Sequence, residues 1–121
     1  MIEVKVEKPA NLLKISYVGT VGAEEARESA QKIESLLGDL EPGFRMLTDM
    51  RNLKIMDLAC VPYIERVMDA CDEAGIKMVV RIIPDPHKDI GLNIMAFFHY
   101  DRGVQIINCQ TLPEAERILA K

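Results

Sequence analysis

The sequence predicts one α/β domain, built as a mostly parallel five-stranded sheet with four helices in the order β-β-α-β-α-β-α-β-α. Three observations carry this. The chain has 121 residues, close to the commonest size of a single domain and enough to bury a core without disulfide or metal staples. Its composition, 49% hydrophobic and 28% charged, is that of a globular protein rather than a disordered one. After two opening strands, the apolar spacing switches back and forth between two and three-to-four, which marks alternating strands and helices and hence a parallel sheet with right-handed crossovers. No linker, repeat or low-complexity segment divides residues 1–121, so one domain accounts for all of them.

Ile2, Val4 and Val6 alternate with Glu3, Lys5 and Glu7, the pattern of a half-exposed edge strand. Pro9-Ala10-Asn11 turns the chain, and a second strand over 12–18 returns antiparallel because the link is short. Gly19 to Gly22 form a loop. A helix follows over 23–40, with Ala26, Ala30, Ile33, Leu36 and Leu37 inward and Glu24, Glu25 and Glu28 near its N-terminus, where the helix dipole favours negative charge. Glu41-Pro42-Gly43 stops it.

Residues 44–50 form the third strand and 51–56 a connection ending in Asp57, a helix N-cap. The second helix spans 58–74, with Val61, Ile64, Val67, Met68 and Cys71 inward, Pro62 in its first turn and Gly75 at its C-terminal cap. The branched apolar run over 76–83 predicts a central strand covered on both faces. Pro84 to His87 form a loop, and a shorter helix covers 88–99. A fifth strand follows over 104–108, and a last helix carries Leu112, Ala115, Ile118 and Leu119, with Thr111 as its cap and Pro113 in its first turn.

Trp is absent and aromatics make up 5% of the chain, so the core is aliphatic, with seven Met residues to fill irregular gaps. The net charge of −4 comes from mixed acidic and basic residues. Without a basic stripe to offset phosphate charge, nucleic acid is not an expected partner. The N-terminus lacks the apolar run of a signal peptide, and no segment approaches the roughly 20 apolar residues needed to span a bilayer. The expected location is the cytoplasm, without membrane insertion. Cys60, Cys71 and Cys109 form no CxxC pair, so neither a disulfide framework nor a zinc site is expected. In one helix, Cys60 and Cys71 would lie about 16 Å apart, too far for a bridge.

No phosphate loop or dinucleotide fingerprint occurs, and no cofactor or catalytic residue is expected. His87 and His99 do not form a close metal-binding pair, and a helix C-terminus accounts for His99. The carboxyl ends of strands in an open parallel sheet are favoured ligand sites. Asp49, Arg51 and Asp57 could therefore line a binding face, with His87 in its loop a further candidate ligand-binding residue beside Asp49 and Arg51, set against the simpler alternative that Asp57 caps the helix while Asp49 and Arg51 stabilise the turn.

The run Met46-Leu47-Thr48-Asp49-Met50-Arg51-Asn52-Leu53-Lys54-Ile55-Met56-Asp57 resembles the strand and loop of STAS domains, the small modules of anti-sigma factor antagonists and sulfate transporter tails. The matching order continues through Gly75, the 76–83 strand, Pro84-Asp85-Pro86 and the Thr111-Leu112-Pro113-Glu114-Ala115 helix start, and so covers almost the whole chain. It implies a STAS-like fold and a protein-binding role. Antagonist STAS domains carry a phosphorylatable Ser just after the Asp that matches Asp57. Here Leu58-Ala59-Cys60 follows, so a phosphate switch that repels a kinase-like partner has no hydroxyl to act on.

The leading expectation is a non-enzymatic protein-interaction module whose partner is another protein or a second copy of itself in a homodimer. Its face is the start of the second helix: Asp57, Leu58, Ala59, Cys60 and Tyr63. The alternative is a carrier of a small apolar or lipid-like ligand, related to Sec14-type domains, with Met50, Met56, Met95, Phe97 and Phe98 around a pocket. An enzyme using Asp49, His87 or His99 is a third reading, without a recognisable nucleophile–base pair.

Overall fold

The computed structural model describes residues 1–83 and 103–120. Their strands are β1 (Ile2–Glu7), β2 (Leu12–Val21), β3 (Arg45–Met56), β4 (Met78–Ile82) and β5 (Gln105–Cys109), and their helices are α1 (Ala23–Leu36), α2 (Val61–Glu73) and α3 (Leu112–Leu119). The helix expected over 88–99 lies outside the described residues. The strands form one sheet in the order β1-β2-β3-β4-β5. β1 and β2 pair antiparallel, and every later pair is parallel. The opening hairpin and the mostly parallel sheet are thus as the periodicity predicts.

The β1–β2 turn depends on Asn11, which adopts a left-handed φ of 49°, a conformation that Asn tolerates better than most residues. Its side-chain amide donates to Glu41 O at 3.1 Å and its Oδ1 accepts from Glu41 N at 2.9 Å. The turn is therefore tied to the segment that leads into β3. At the other end of the chain, the Thr111 side chain accepts from Glu114 N at 3.3 Å and Pro113 occupies the first turn of α3.

Helices α1 and α2 cover one face of the sheet. Ala26 and Ile33 from α1 and Ile64, Met68 and Cys71 from α2 join Leu13, Ile15, Tyr17, Met46, Met50, Leu53 and Val79 in the larger core cluster. Helix α3 covers the other face, where Ala115 packs with Leu12, Leu47, Val80, Ile82 and Cys109. β4 lies between two strands, and its Val79, Val80, Arg81 and Ile82 are all buried, as expected of a central strand. The apolar run conceals one charge: Arg81, 2% exposed, is on the α1/α2 side with Tyr17 and Thr48.

Several boundaries differ from the expected ones. The first helix ends its α-helical part at Leu36 and closes with a 3-10 turn over Leu37–Asp39. The second starts with a 3-10 turn over Leu58–Cys60 before α2 proper. The largest difference is in β3. The segment 51–56, expected as a connection, continues the strand. Between Asp49↔Ser16 and Asn52↔Val18, β3 has two residues where β2 has one, and between Leu53↔Gly19 and Ile55↔Thr20 it has one more. These are β-bulges. They let the strand run on beside β2 while its inward residues become Met50, Leu53 and Met56, spaced at three instead of two.

Candidate functional site

The C-terminal ends of β2 and β3 meet the start of α2 in one corner, and Asp57 organises it. Its backbone is extended, and its Oδ1 accepts from Ala59 N at 2.9 Å. Its carbonyl accepts from Cys60 N at 2.9 Å, and its amide donates to Val21 O at 3.1 Å. Asp57 therefore caps the 3-10 turn and fastens it to the end of β2, the N-cap role its position before a helix predicts.

The turn sorts the next residues by direction. Leu58 is 85% exposed and Ala59 is exposed, while Cys60 is fully buried. The Cys60 thiol points at Val21 O, 3.6 Å away. Burial pushes that thiol up, and the nearby Asp57 carboxylate pushes it further. Cys60, expected on the contact face, is a correction to that set: it lies beneath the surface as part of the floor. Tyr63 is half-buried, packed against the larger core cluster. Ile55, on the bulged end of β3, is 62% exposed and joins this corner. Periodicity alone does not reveal it, because 51–56 reads as a connection between strand and helix. The apolar run Leu53–Met56, with polar Lys54 inside it, was the available signal.

Asp49 and Arg51 form a tight pair. Arg51 Nε donates to Asp49 Oδ1 at 3.0 Å and its guanidinium nitrogen to Oδ2 at 2.7 Å, while the Arg51 backbone amide donates to Oδ1 at 3.1 Å. The carboxylate thereby satisfies the amide freed by the first bulge. Burial alone would raise the Asp49 carboxyl. The bonds from the Arg51 side chain and amide, with the guanidinium charge, together outweigh that and hold it below its ordinary value of 3.8. Asp49 and Arg51 thus stabilise β3 rather than line an open loop. His87, the third candidate ligand residue, and His99 lie outside the described residues.

This pair carries a pH signature. A carboxyl whose folded pKa is depressed contributes stability above its unfolded pKa and loses it as the pH falls through the folded value. The contribution is therefore complete at neutral pH and lost from the ordinary Asp range downward. Asp49→Asn is expected to cost about 1 kcal/mol near neutrality, the scale of one partly exposed, charge-assisted hydrogen bond. In urea titrations, the gap between the wild type and this variant should narrow between about pH 7 and about pH 3. A gap independent of pH would show that the carboxylate charge is not what Arg51 reads.

Two enclosed spaces between the sheet and helices α1 and α2 are small. One of about 30 Å³ lies between Arg81, Thr48, Tyr17 and Met68, and another of about 10 Å³ lies beside Cys60 and Tyr63. The first has room for a water or two, whereas ligand pockets run to roughly 300–1,000 Å³. Met50 is fully buried and Met56 half-buried in the core cluster. Met95, Phe97 and Phe98 lie outside the described residues. Burial pushes the Cys71 thiol up to about 12, and the Tyr17 hydroxyl, also chiefly through burial, up to about 12. Neither group is ionised at neutral pH.

This arrangement of five strands and their covering helices has solved counterparts in overall fold. An uncharacterised protein of the DUF3478 family from Shewanella loihica, described as having a SpoIIAA-like fold, matches with a TM-score of 0.72 at 17% identity, over 98% of this chain and 92% of its own. The fold is SpoIIAA-like. The Bacillus cell fate determinant SpoIIAA in its phosphorylated form matches with a TM-score of 0.65 at 14% identity, over 98% and 99% of the two chains. An anti-sigma factor antagonist from Mycobacterium paratuberculosis matches with a TM-score of 0.60 at 16% identity, over 100% and 96%. No protein-family model and no curated protein matches the sequence. The STAS-like architecture that the 46–57 run implies is therefore the architecture present. Within this SpoIIAA-like fold, the residue after the capping Asp57 is the exposed, hydroxyl-free Leu58. Among the described residues, no helix is long and apolar enough to cross a membrane.

Proposed function

We propose that this chain is a non-enzymatic protein-interaction module of the anti-sigma factor antagonist type, without a phosphate switch at the start of α2. Its contact face is the corner formed by Ile55, Leu58, Ala59 and Tyr63, with Asp57 holding the turn. One observation carries the reading. Of the three large apolar side chains exposed among the described residues, Met1, Ile55 and Leu58, two are at this corner. Single exposed hydrophobes are common, but these two lie three residues apart, Ile55 at the end of β3 and Leu58 on the turn that Asp57 pins. The likeness to an anti-sigma factor antagonist supports a protein as the partner, and an anti-sigma-factor-like regulator is the class to look for.

Leu58 has no hydroxyl, so binding at this corner is constitutive with respect to phosphorylation there. The cavities enclosed beneath α1 and α2, beside Arg81 and beside Cys60, are far smaller than the pocket that an apolar-ligand carrier needs. Asp49 is committed to Arg51, which removes one residue from the enzymatic reading.

The test pairs Ile55→Asp with Leu58→Asp in one variant. Both side chains are exposed, so stability should change by less than about 0.5 kcal/mol. Affinity purification from the source cells should recover a stoichiometric partner with the wild type and lose it, by tenfold or more, with the variant. Equal recovery by both proteins, at equal melting temperature, would reject this face.

A further inference from the structure

The open edge of the sheet at β1 is a second place where this chain can take a partner. The Val18 amide donates to Met1 O at 2.8 Å and the Met1 amine to Val18 O at 2.6 Å. With this phase, the backbone groups of Glu3, Lys5 and Glu7 bond to β2, and those of Ile2, Val4 and Val6 point outward. The outward Ile2 amide is occupied, donating to Glu25 Oε2 at 3.1 Å. Val4 and Val6 have no corresponding plug among the described residues. Beside them runs an open groove of about 690 Å³, walled by residues 4–10 and by Lys32, Leu36 and Asp39.

An extended strand fits such an edge, and the charge pattern selects which one. Lys5 sits directly across from Lys14, whose ammonium is 2.7 Å from Glu7 Oε1. Lys5 itself makes no ion pair among the described residues. An antiparallel second copy of β1 could dock in three registers. An axis through Lys5 sets Lys5 against Lys5 and Glu3 against Glu7, which is repulsive. An axis through Val4 needs the Ile2 amide that Glu25 holds. An axis through Val6 needs neither. It exchanges backbone bonds between the two Val6 residues, sets each Lys5 opposite the other copy's Glu7, and lies over the groove. We propose that β1 is a self-association edge, and that two copies of this chain pair antiparallel about Val6 with reciprocal Lys5–Glu7 contacts.

This edge is separate from the Ile55–Leu58 corner, so each can fail without the other. One six-residue strand is a small interface, so the association is expected to be weak and reversible. Sedimentation of the full chain should show a concentration-dependent monomer–dimer equilibrium. Lys5→Glu should weaken it tenfold or more, by facing Glu7 of the second copy, while removing the Lys5–Lys14 repulsion and so preserving the fold. Lys5→Glu with Glu7→Lys should restore it. Directly opposed, hydrogen-bonded residues sit about 5.5 Å apart at Cα, wide at Cβ for a direct disulfide but within reach of a short bis-thiol cross-linker. Val6→Cys should therefore give a covalent dimer with such a cross-linker. Val4→Cys should not, and neither should the wild type, whose three cysteines are buried. A strictly monomeric wild type, an unaffected Lys5→Glu variant, or cross-linking through Val4→Cys in preference to Val6→Cys would each overturn the proposal.

Discussion

Phe44→Ala is expected to lower the unfolding free energy by about 3–5 kcal/mol, the cost of emptying a fully buried aromatic position. Phe44 is fully buried in the larger core cluster, just before β3 begins. Its amide donates to Glu41 O at 3.1 Å, and its carbonyl accepts from Lys77 N at 2.8 Å. Backbone bonds therefore hold this position from both sides, and the main chain cannot slide to close a cavity. With no Trp and three Phe in the chain, much of the surrounding cluster is branched aliphatic and poorly shaped to refill the space of a ring. Domains of this kind have about 5–15 kcal/mol in total, so the variant should be partly unfolded at moderate temperature. Urea denaturation with an unchanged m-value would measure the loss. A loss under about 1 kcal/mol would mean that the site collapses freely, contrary to the pinned backbone.

Gly75→Val is expected to cost about 2–4 kcal/mol, from two sources that add. Gly75 ends α2 with φ at 92°, a left-handed conformation that costs other residues about 1–2 kcal/mol. In addition, a Cβ there would sit 3.1 Å from Pro42 Cβ and 3.2 Å from Pro42 Cα. Pro42 cannot easily retreat, because Gly43 N donates to Gly75 O at 2.7 Å and draws the two segments together. Gly43 provides the comparison. Its φ is 90°, but a Cβ there would meet nothing within 4 Å. Thermal unfolding should therefore rank Gly75→Ala as clearly more damaging than Gly43→Ala. Equal losses would show that backbone strain alone matters and that the approach of Pro42 relaxes at no cost.

Much of this architecture was legible because local chemistry and global fold agree. The Ile2/Val4/Val6 alternation, the Pro42-Gly43 stop, Gly75 as helix terminator and Thr111-x-Pro113 as a helix start each have one local meaning, and tertiary structure did not override them. Asp57 was legible as a cap for the same reason. The C-terminal half of β3 was not. Its inward residues Met50, Leu53 and Met56 are spaced at three, whereas strand recognition from sequence looks for two. Only pairing with β2 shows that Arg51 and Lys54 are bulge insertions. Ile55 was missed with it. Cys60 was misplaced because a 3-10 turn, tighter than an α-helix, points it at Val21 rather than outward. Arg81 could not be distinguished from its apolar neighbours, since burial of that charge depends on which elements cover β4.

The bulges also change how much chemistry a strand can display. In a regular strand, every second residue faces one side, so outward side chains come about 6.6–6.8 Å apart. From Met50 to Met56, each pair of inward residues is separated by two others: Arg51 and Asn52, then Lys54 and Ile55, all four exposed. This stretch therefore carries twice the usual density of solvent-facing side chains per inward anchor, on a backbone still fixed by pairing with β2. The chain thus has the side-chain variety of a binding loop at this edge without the ordering entropy that a free loop would lose when a partner arrives.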